Sequence, residues 1–182
     1  MLSAIVIALN EETMIGDCLI SLKLADEIIV VDTGNSDRTN IISKVHKAKI
    51  VKSQPGSGYN NFRNDGLKSA KGDWILYVDA DERVTPLLAH EIEHIISSNS
   101  PFSAYKIPRR NFYLGKEMKF GGWGNDKVVR LYKKEKLQGY EQALHEQPVV
   151  DGEIGDLENS LVHFSHRDLE SMLDKTLLFT GY

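Results

Sequence analysis

The 182-residue chain carries 22 Lys and Arg against 26 Asp and Glu, a formal charge of −4, with 41% hydrophobic residues. That is enough chain for one domain with a sizeable core, and its mild acidity gives no whole-chain reason to expect a nucleic-acid partner. The lone Cys18 excludes an intramolecular disulfide and a cysteine-based zinc cluster. The opening residues lack the basic segment of a signal peptide and no apolar run is long enough to span a bilayer, so a cytoplasmic location is expected.

Residues 3–9 read as a short buried strand halted by Asn10-Glu11-Glu12. Ile15, Cys18, Leu19 and Leu22 then recur at i, i+3, i+4 and i+7, the stripe of an amphipathic helix. This assigns Cys18 to the core rather than to a reactive setting. Residues 27–31 are all apolar after Glu27, as in strands that parallel sheets bury on both faces, and they run into Asp32-Thr33-Gly34-Asn35-Ser36. Asn35 or Ser36 is the expected cap of a second helix that turns Ile41, Ile42 and Val45 inward. Asp32 has two readings: an acceptor for a base N–H or ribose hydroxyls at a strand's carboxyl end, or a turn former bonded to its own backbone.

A third strand at 49–52 leads through Pro55-Gly56-Ser57-Gly58 to a helix over 60–71 with Phe62, Leu67 and Ala70 inward. Arg63 on that helix is either a solvated surface residue or a fork of donors for a diphosphate. Next comes Gly72-Asp73-Trp74-Ile75-Leu76-Tyr77-Val78-Asp79-Ala80-Asp81-Glu82, an apolar strand ending in three carboxylates. In an extended chain Asp79 and Asp81 share one side, and two such acids favour a hard divalent cation. The competing reading is an acidic turn before the next helix. Strand and helix alternate throughout, which predicts a parallel sheet with helices on both faces and gathers Asn10, Glu12, Asp32, Asp79 and Asp81 on one edge.

Thr85-Pro86 opens a further helix containing His90-Glu91-Ile92-Glu93-His94, a formal match to the zinc-protease pattern. Leu88, Ile92, Ile95 and Ile96 define its buried face, so both histidines point to solvent and the protease reading is rejected. Beyond 101 the alternation stops and an α+β half is expected. It holds an irregular edge strand at 104–113, a glycine-rich loop bearing Trp123, and a strand at 127–132. Trp123 suits stacking on the apolar face of a sugar, or anchors its own loop. Arg109, Arg110, Lys133, Lys134 and Lys136 read as solvated, with contact to anionic lipid or phosphate as a second reading. Glu146 is a base if a hydroxyl is set against it. His163, in a strand around 161–164, closes the coordination of a metal held by Asp81 or is a hydrogen-bonded core residue. Ser165 is the expected cap of a last helix running from His166 to about Phe179.

Together these pieces resemble family 2 glycosyltransferases of the GT-A (Rossmann-like) fold. The matching segments are Asn10-Glu11; Val31-Asp32 through Gly34, Ser36-Asp37 and Thr39; Arg63-Asn64, Gly66, Ala70 and Gly72-Asp73-Trp74; and Asp79-Ala80-Asp81-Glu82. The later half resembles the branch that builds lipopolysaccharide cores, through Val129-Arg130-Leu131-Tyr132, Leu144-His145-Glu146 and His163-Phe164-Ser165-His166-Arg167-Asp168-Leu169. The resemblance implies one GT-A domain over 1–182, with 1–98 as the nucleotide-binding half and 99–182 as the acceptor side. It implies that Asp32 recognises the base, Arg63 lies near the nucleotide, Asp79 near the ribose, Asp81 holds Mg²⁺ or Mn²⁺ on the donor diphosphate, and Glu146 is the base of an inverting transfer. The donor is then a nucleotide sugar, of UDP in the first instance. The acceptor is a saccharide or lipid-linked hydroxyl, with peripheral contact at the inner face of the membrane.

The chain departs from the family pattern in three places. Thr33 stands where many members have a second Asp, Glu146 follows His145 instead of forming a Glu-Asp pair, and the chain stops at Tyr182 where members usually continue, so part of the acceptor or membrane-facing region is expected to be missing. The alternatives are a nucleotidyltransferase making activated sugars, which lacks a basic Gly-rich phosphate loop here, and a non-catalytic nucleotide-sugar-binding domain.

Overall fold

The computed structural model describes residues 1–141 and 147–166 of the chain. Its first half alternates as β1 (Leu2–Ala8), α1 (Ile15–Ser21), β2 (Glu27–Asp32), α2 (Thr39–Val45), β3 (Lys49–Lys52), α3 (Tyr59–Ser69) and β4 (Trp74–Asp79). The four strands are parallel in the order β3-β2-β1-β4. Parallel neighbours need crossover connections, and the three helices supply them. Side chains alternate across the sheet: Leu2, Ala4, Val6 and Ala8 of β1 pack with Cys18 and Leu19 of α1, while Ile5 packs with Phe62 of α3. On β4, Trp74, Leu76 and Val78 join the first cluster and Ile75 and Tyr77 the second. Fully burying each such side chain is worth ~1.5–3 kcal/mol, so the carboxyl edge of this sheet is a rigid platform.

One helix differs from its sequence reading, and on another an open alternative is resolved. On α2, Ile42 packs against the core as expected, but Ile41 and Val45 are exposed, and Thr39 and Ser43 are buried instead. The fully buried positions of this helix are polar because the Ser43 hydroxyl donates to the Thr39 carbonyl and the Thr39 hydroxyl accepts from Glu11 N–H, which satisfies both groups internally. Neither Asn35 nor Ser36 caps α2; Asp37 accepts from Thr39 N–H at 2.9 Å instead. On α3 Phe62 and Ala70 are buried and Leu67 packs against the same cluster, as expected, but Arg63 and Gly66 are buried with them, so Arg63 is not a solvated residue. Gly66 lies so close to β1 that a Cβ there would stand 2.5 Å from Ile5 Cγ2 and 3.1 Å from Val31 Cγ2.

After β4 come β5 (Glu82–Val84) and α4 (Pro86–Ser97). Thr85 caps α4 by accepting from Leu88 N–H at 3.2 Å, with Pro86 in its first turn. His90 is 80% exposed, and Glu91 is spent on the backbone N–H groups of Glu158 and Asn159, so the His-Glu-x-x-His segment is a surface helix.

The second half contributes β6 (Ala104–Tyr113), β7 (Lys116–Glu117), β8 (Lys127–Lys133), β9 (Leu137–Glu141), β10 (Gln147–Val150), β11 (Ile154–Asp156) and β12 (Leu161–His166). The main sheet continues from β4 as β8-β6-β12-β5, with β7 and β11 also on β6; β9 and β10 form a separate antiparallel pair. β6 is therefore an interior strand and not the expected edge. Pro108 is tolerated in it because β11 pairs with residues 104–106 and β12 with 109–113, leaving a gap between them. Arg109 N–H faces Asp126 on the β8 side, so the missing N–H of Pro108 falls on the gap side. His166 ends β12 and does not start a helix. The remainder of the expected last helix, from 167, lies outside the described residues, as does Glu146.

Candidate active site

The parallel register places the acids of the first half. Ala8 of β1 is level with Asp32 of β2, and Ile7 is level with Asp79 of β4. Asp32 and Asp79 thus stand at one sheet edge, two strand spacings apart, roughly 10 Å. Ligands bind at this edge in open α/β sheets, where the strand order reverses about β1.

Asp32 is 7% exposed and bonds within its own loop: Oδ1 accepts from Gly34 and Asn35 N–H at 3.0 and 2.7 Å, and Oδ2 from Asn40 Nδ2 at 2.8 Å. Burial alone would raise its pKa, but the donors of Asn35, Gly34 and Asn40 outweigh it and hold the carboxyl below the usual range. The turn-forming geometry and an ionised acceptor at the edge coexist. Asn10 and Glu12 brace the same loop. Asn10 Oδ1 accepts from Ser36 N–H at 2.8 Å, and Glu12 accepts from Arg38 N–H at 3.0 Å. In return Asn35 Oδ1 accepts from Asn10 N–H and Asp37 from Glu12 N–H.

The extended chain expected through 79–81 turns at Ala80 and Asp81, so the two acids address different partners. Asp79 lies against Arg130 and 3.5 Å from Arg63 Nη2, while Glu82 accepts from Asp79 N–H at 2.9 Å. Glu82 is fully buried and receives Arg109 at 3.3 Å and Arg130 at 3.4 Å; Arg109 also holds Asp126 at 2.7 Å. Three arginines thus balance three carboxylates. Burial would raise the Asp79 carboxyl, but Arg130 and Arg63 overcome it and keep it far below the ordinary value. Burial likewise opposes the charge on Arg130, and Asp79 and Glu82 more than restore it. Arg63 lies between the rings of Tyr77 and Tyr140, 5.3 Å from each centroid. Tyr140 is fixed there because Asn64 takes both its backbone groups, at 2.8 and 3.0 Å.

Asp81 stands outside this balanced set. Its Oδ2 is 3.7 Å from His163 Nε2, and its carbonyl accepts from Phe164 N–H at 2.9 Å. His163 Nδ1 is 2.7 Å from Asn111 Oδ1. A neutral ring that donates from Nδ1 would present a bare lone pair at Nε2, the atom that faces the Asp81 carboxylate. In that tautomer the two groups form a two-atom donor set open to a cation; with a proton on Nε2 they pair with each other directly. Among the described residues no group of three or more acidic, His or Cys side chains gathers around one point. Two protein ligands nevertheless suffice for a Mg²⁺-type ion that takes its remaining ligands from phosphate and water.

Trp123 sits in a short 3-10 turn (Gly121–Trp123), is 41% exposed, and its carbonyl accepts from Asn111 Nδ2. The five basic residues singled out in the second half do not form a free patch. Arg109 is in the buried ion cluster, Arg110 pairs with Glu117, Lys136 with Asp151, and Lys133 and Lys134 donate to the carbonyls of Ser100 and Ala70. Glu82 and Arg130 stood inside segments matched to the family but were given no role, and Asn111 was not singled out from the sequence. Among the described residues no helix is long and apolar enough to cross a membrane.

The mixed sheet, largely parallel in its first half, with helices on both faces and acids at its carboxyl edge, is a GT-A fold. The chain belongs to glycosyl transferase family 2, whose profile matches residues 3–139. It is 29% identical to an uncharacterized glycosyltransferase of Rickettsia typhi over 99% of this chain and 65% of that protein. It is 28% identical to the lipopolysaccharide core biosynthesis glycosyltransferase LpsC of Rhizobium meliloti over 90% of this chain and 63% of that one. The chain therefore spans less than two thirds of the length of these relatives. Among solved structures it is similar to glucosyl-3-phosphoglycerate synthase of Mycobacterium tuberculosis in complex with Mn²⁺, UDP and glucosyl-3-phosphoglycerate (TM-score 0.62, 19% identity, 100% of this chain and 80% of that one). It is also similar to S. aureus TarS 1–349 (TM-score 0.62, 19% identity, 99% and 64%).

Proposed function

We propose that this chain carries the donor-binding machinery of an inverting, metal-dependent glycosyltransferase. It would move a sugar from a nucleotide sugar, UDP-linked in the first instance, to a saccharide or lipid-linked hydroxyl in lipopolysaccharide core or related envelope synthesis. The observation that carries the reading is the gathering of Asp32, Asp79 and Asp81 with His163 at one carboxyl edge of a family 2 chain. The complex of a structural relative with Mn²⁺, UDP-glucose and glycerol 3-phosphate supports a metal-assisted nucleotide-sugar donor, and LpsC supports the envelope setting.

In this reading Asp32, already ionised and held by its own loop, accepts from the N–H of the base, while Asn10 and Glu12 keep that loop in shape. Asp79, fixed by Arg130 and Arg63, accepts from a ribose hydroxyl. Asp81 and His163 hold the divalent cation, which when bound supplies positive charge beside the departing diphosphate. Trp123 offers its exposed face to a sugar ring. Glu146 takes the proton of the acceptor hydroxyl. The freed oxygen attacks the anomeric carbon opposite the diphosphate, the old carbon–oxygen bond breaks, and the electron pair leaves with the nucleotide, so the configuration inverts.

A thermal-shift panel of UDP-, GDP- and ADP-sugars, each with and without Mn²⁺, tests the reading. At a hundred times Kd a ligand adds ~2.7 kcal/mol, which for a domain of this size raises Tm by about 5–11 °C. The expected result is a shift of that order with one nucleotide class, dependent on Mn²⁺. No shift with any donor removes the proposal.

A further inference from the structure

Resting on the cation site proposed above, we infer that Asn111 is a positioning residue that turns His163 into a cation ligand by fixing its tautomer. Asn111 and His163 are register partners on the parallel neighbours β6 and β12, so their side chains rise side by side from one face. Asn111 is 1% exposed, and its amide has no freedom to flip. Its nitrogen donates to Asp126 Oδ2 at 3.0 Å and to the Trp123 carbonyl at 3.2 Å. Asp126 is in turn held by two bonds from Arg109, at 2.8 and 2.7 Å. The reversed amide would set its oxygen against a carboxylate and a carbonyl, three acceptors with no proton among them. The oxygen therefore faces His163 Nδ1 at 2.7 Å, and the ring must donate there.

The consequence falls on the opposite ring nitrogen. In the neutral ring with its proton on Nδ1, Nε2 holds a lone pair directed at the Asp81 carboxylate 3.7 Å away, the electronic state a divalent cation requires. Without Asn111, the ring gains most by moving its proton to Nε2 and donating to Asp81 itself. That donated hydrogen bond would occupy both proposed ligands at once. The same amide nitrogen holds the Trp123 carbonyl, so one buried side chain ties the metal ligand to the loop that carries the sugar-facing aromatic.

The test separates this inference from the functional reading. Long-range proton–nitrogen NMR on metal-free protein reports the His163 tautomer, and Mn²⁺ binding in the presence of UDP is titrated by EPR. Wild type is expected to show Nδ1–H, and Asn111→Leu, which leaves Asp126 paired with Arg109, is expected to show Nε2–H. Loss of such an orienting partner weakens metal affinity by about 10- to 100-fold. Wild-type protein with Nε2–H overturns the inference even if every variant fails to fold. So does a folded Asn111→Leu protein that keeps the wild-type tautomer, or one that binds Mn²⁺ within twofold of wild type. Wild-type protein with Nδ1–H that takes up no Mn²⁺ overturns the cation reading, and with it the purpose assigned to Asn111.

Discussion

Replacing Arg130 with Met removes one charge from the balanced cluster while keeping the unbranched stem in its buried channel. Arg130 has 7% of its side chain exposed and faces Glu82, which has none. Breaking a buried ion pair by deleting one partner typically costs ~3–5 kcal/mol, because the remaining charge is left without compensation. Two features place the expected loss at the low end. Arg109 still reaches Glu82 and Arg63 still reaches Asp79, and Asp79 keeps 33% of its side chain exposed to water. A loss of about 3 kcal/mol corresponds to a fall in Tm of roughly 6–12 °C for a domain of this size. The pH dependence gives a second readout. The folded-state pKa of Asp79 is depressed, so its contribution to stability is fully present above the ordinary carboxylate range and is lost as pH falls through the folded value. Arg130→Met should therefore lose most at neutral pH and least in acid, flattening the acid limb of the stability curve. Urea melts at pH 7 and pH 3 measure both effects. A variant within about 1 kcal/mol of wild type at pH 7, with an unchanged acid limb, would show that the cluster does not hold Asp79 in the way described.

Glu146→Gln should keep donor binding by thermal shift while turnover drops about 10²- to 10⁴-fold, as for loss of a general base; unchanged turnover transfers that role to another group. Gly66→Ala should cost about 1–3 kcal/mol in a thermal or urea melt, the range for overpacking a full core, since its Cβ would stand 2.5 Å from Ile5 Cγ2. A Gly66→Ala protein as stable as wild type would mean that α3 can lift from β1 without cost.

The first half of the fold was legible because β1, β2 and β4 are largely buried and announce themselves as apolar runs, punctuated by polar turns that the crossovers require. The edge acids followed directly, since a residue at the end of a parallel strand has only one place to go. Local pattern failed where side chains satisfy one another at a distance. The fully buried residues of α2 are Thr39 and Ser43, whose hydroxyls are paired within and just beyond the helix, so of the residues hydropathy placed inward only Ile42 packs against the core. Pro108 suggested an edge, yet the strand is interior because two different neighbours leave a gap at that residue. Arg63 and Arg130 looked ordinary because burial of an arginine depends on carboxylates and rings up to 77 residues apart in the chain, as between Arg63 and Tyr140. The pairing of His163 with Asp81 was open to proposal from sequence, whereas the amide that orients it was not, because Asn111 acquires meaning only when β6 and β12 lie side by side.

Strand β3 ends the parallel half, and among the described residues nothing pairs with its outer side. A bare row of amides and carbonyls is an invitation to neighbouring molecules, the route by which sheets recruit one another into aggregates. Here the invitation is short and guarded: four residues, with the exposed Lys49 and Lys52 at its two ends. Another chain docking there would bring its own backbone against two ammonium groups, which favours dispersed molecules when many copies are made at once.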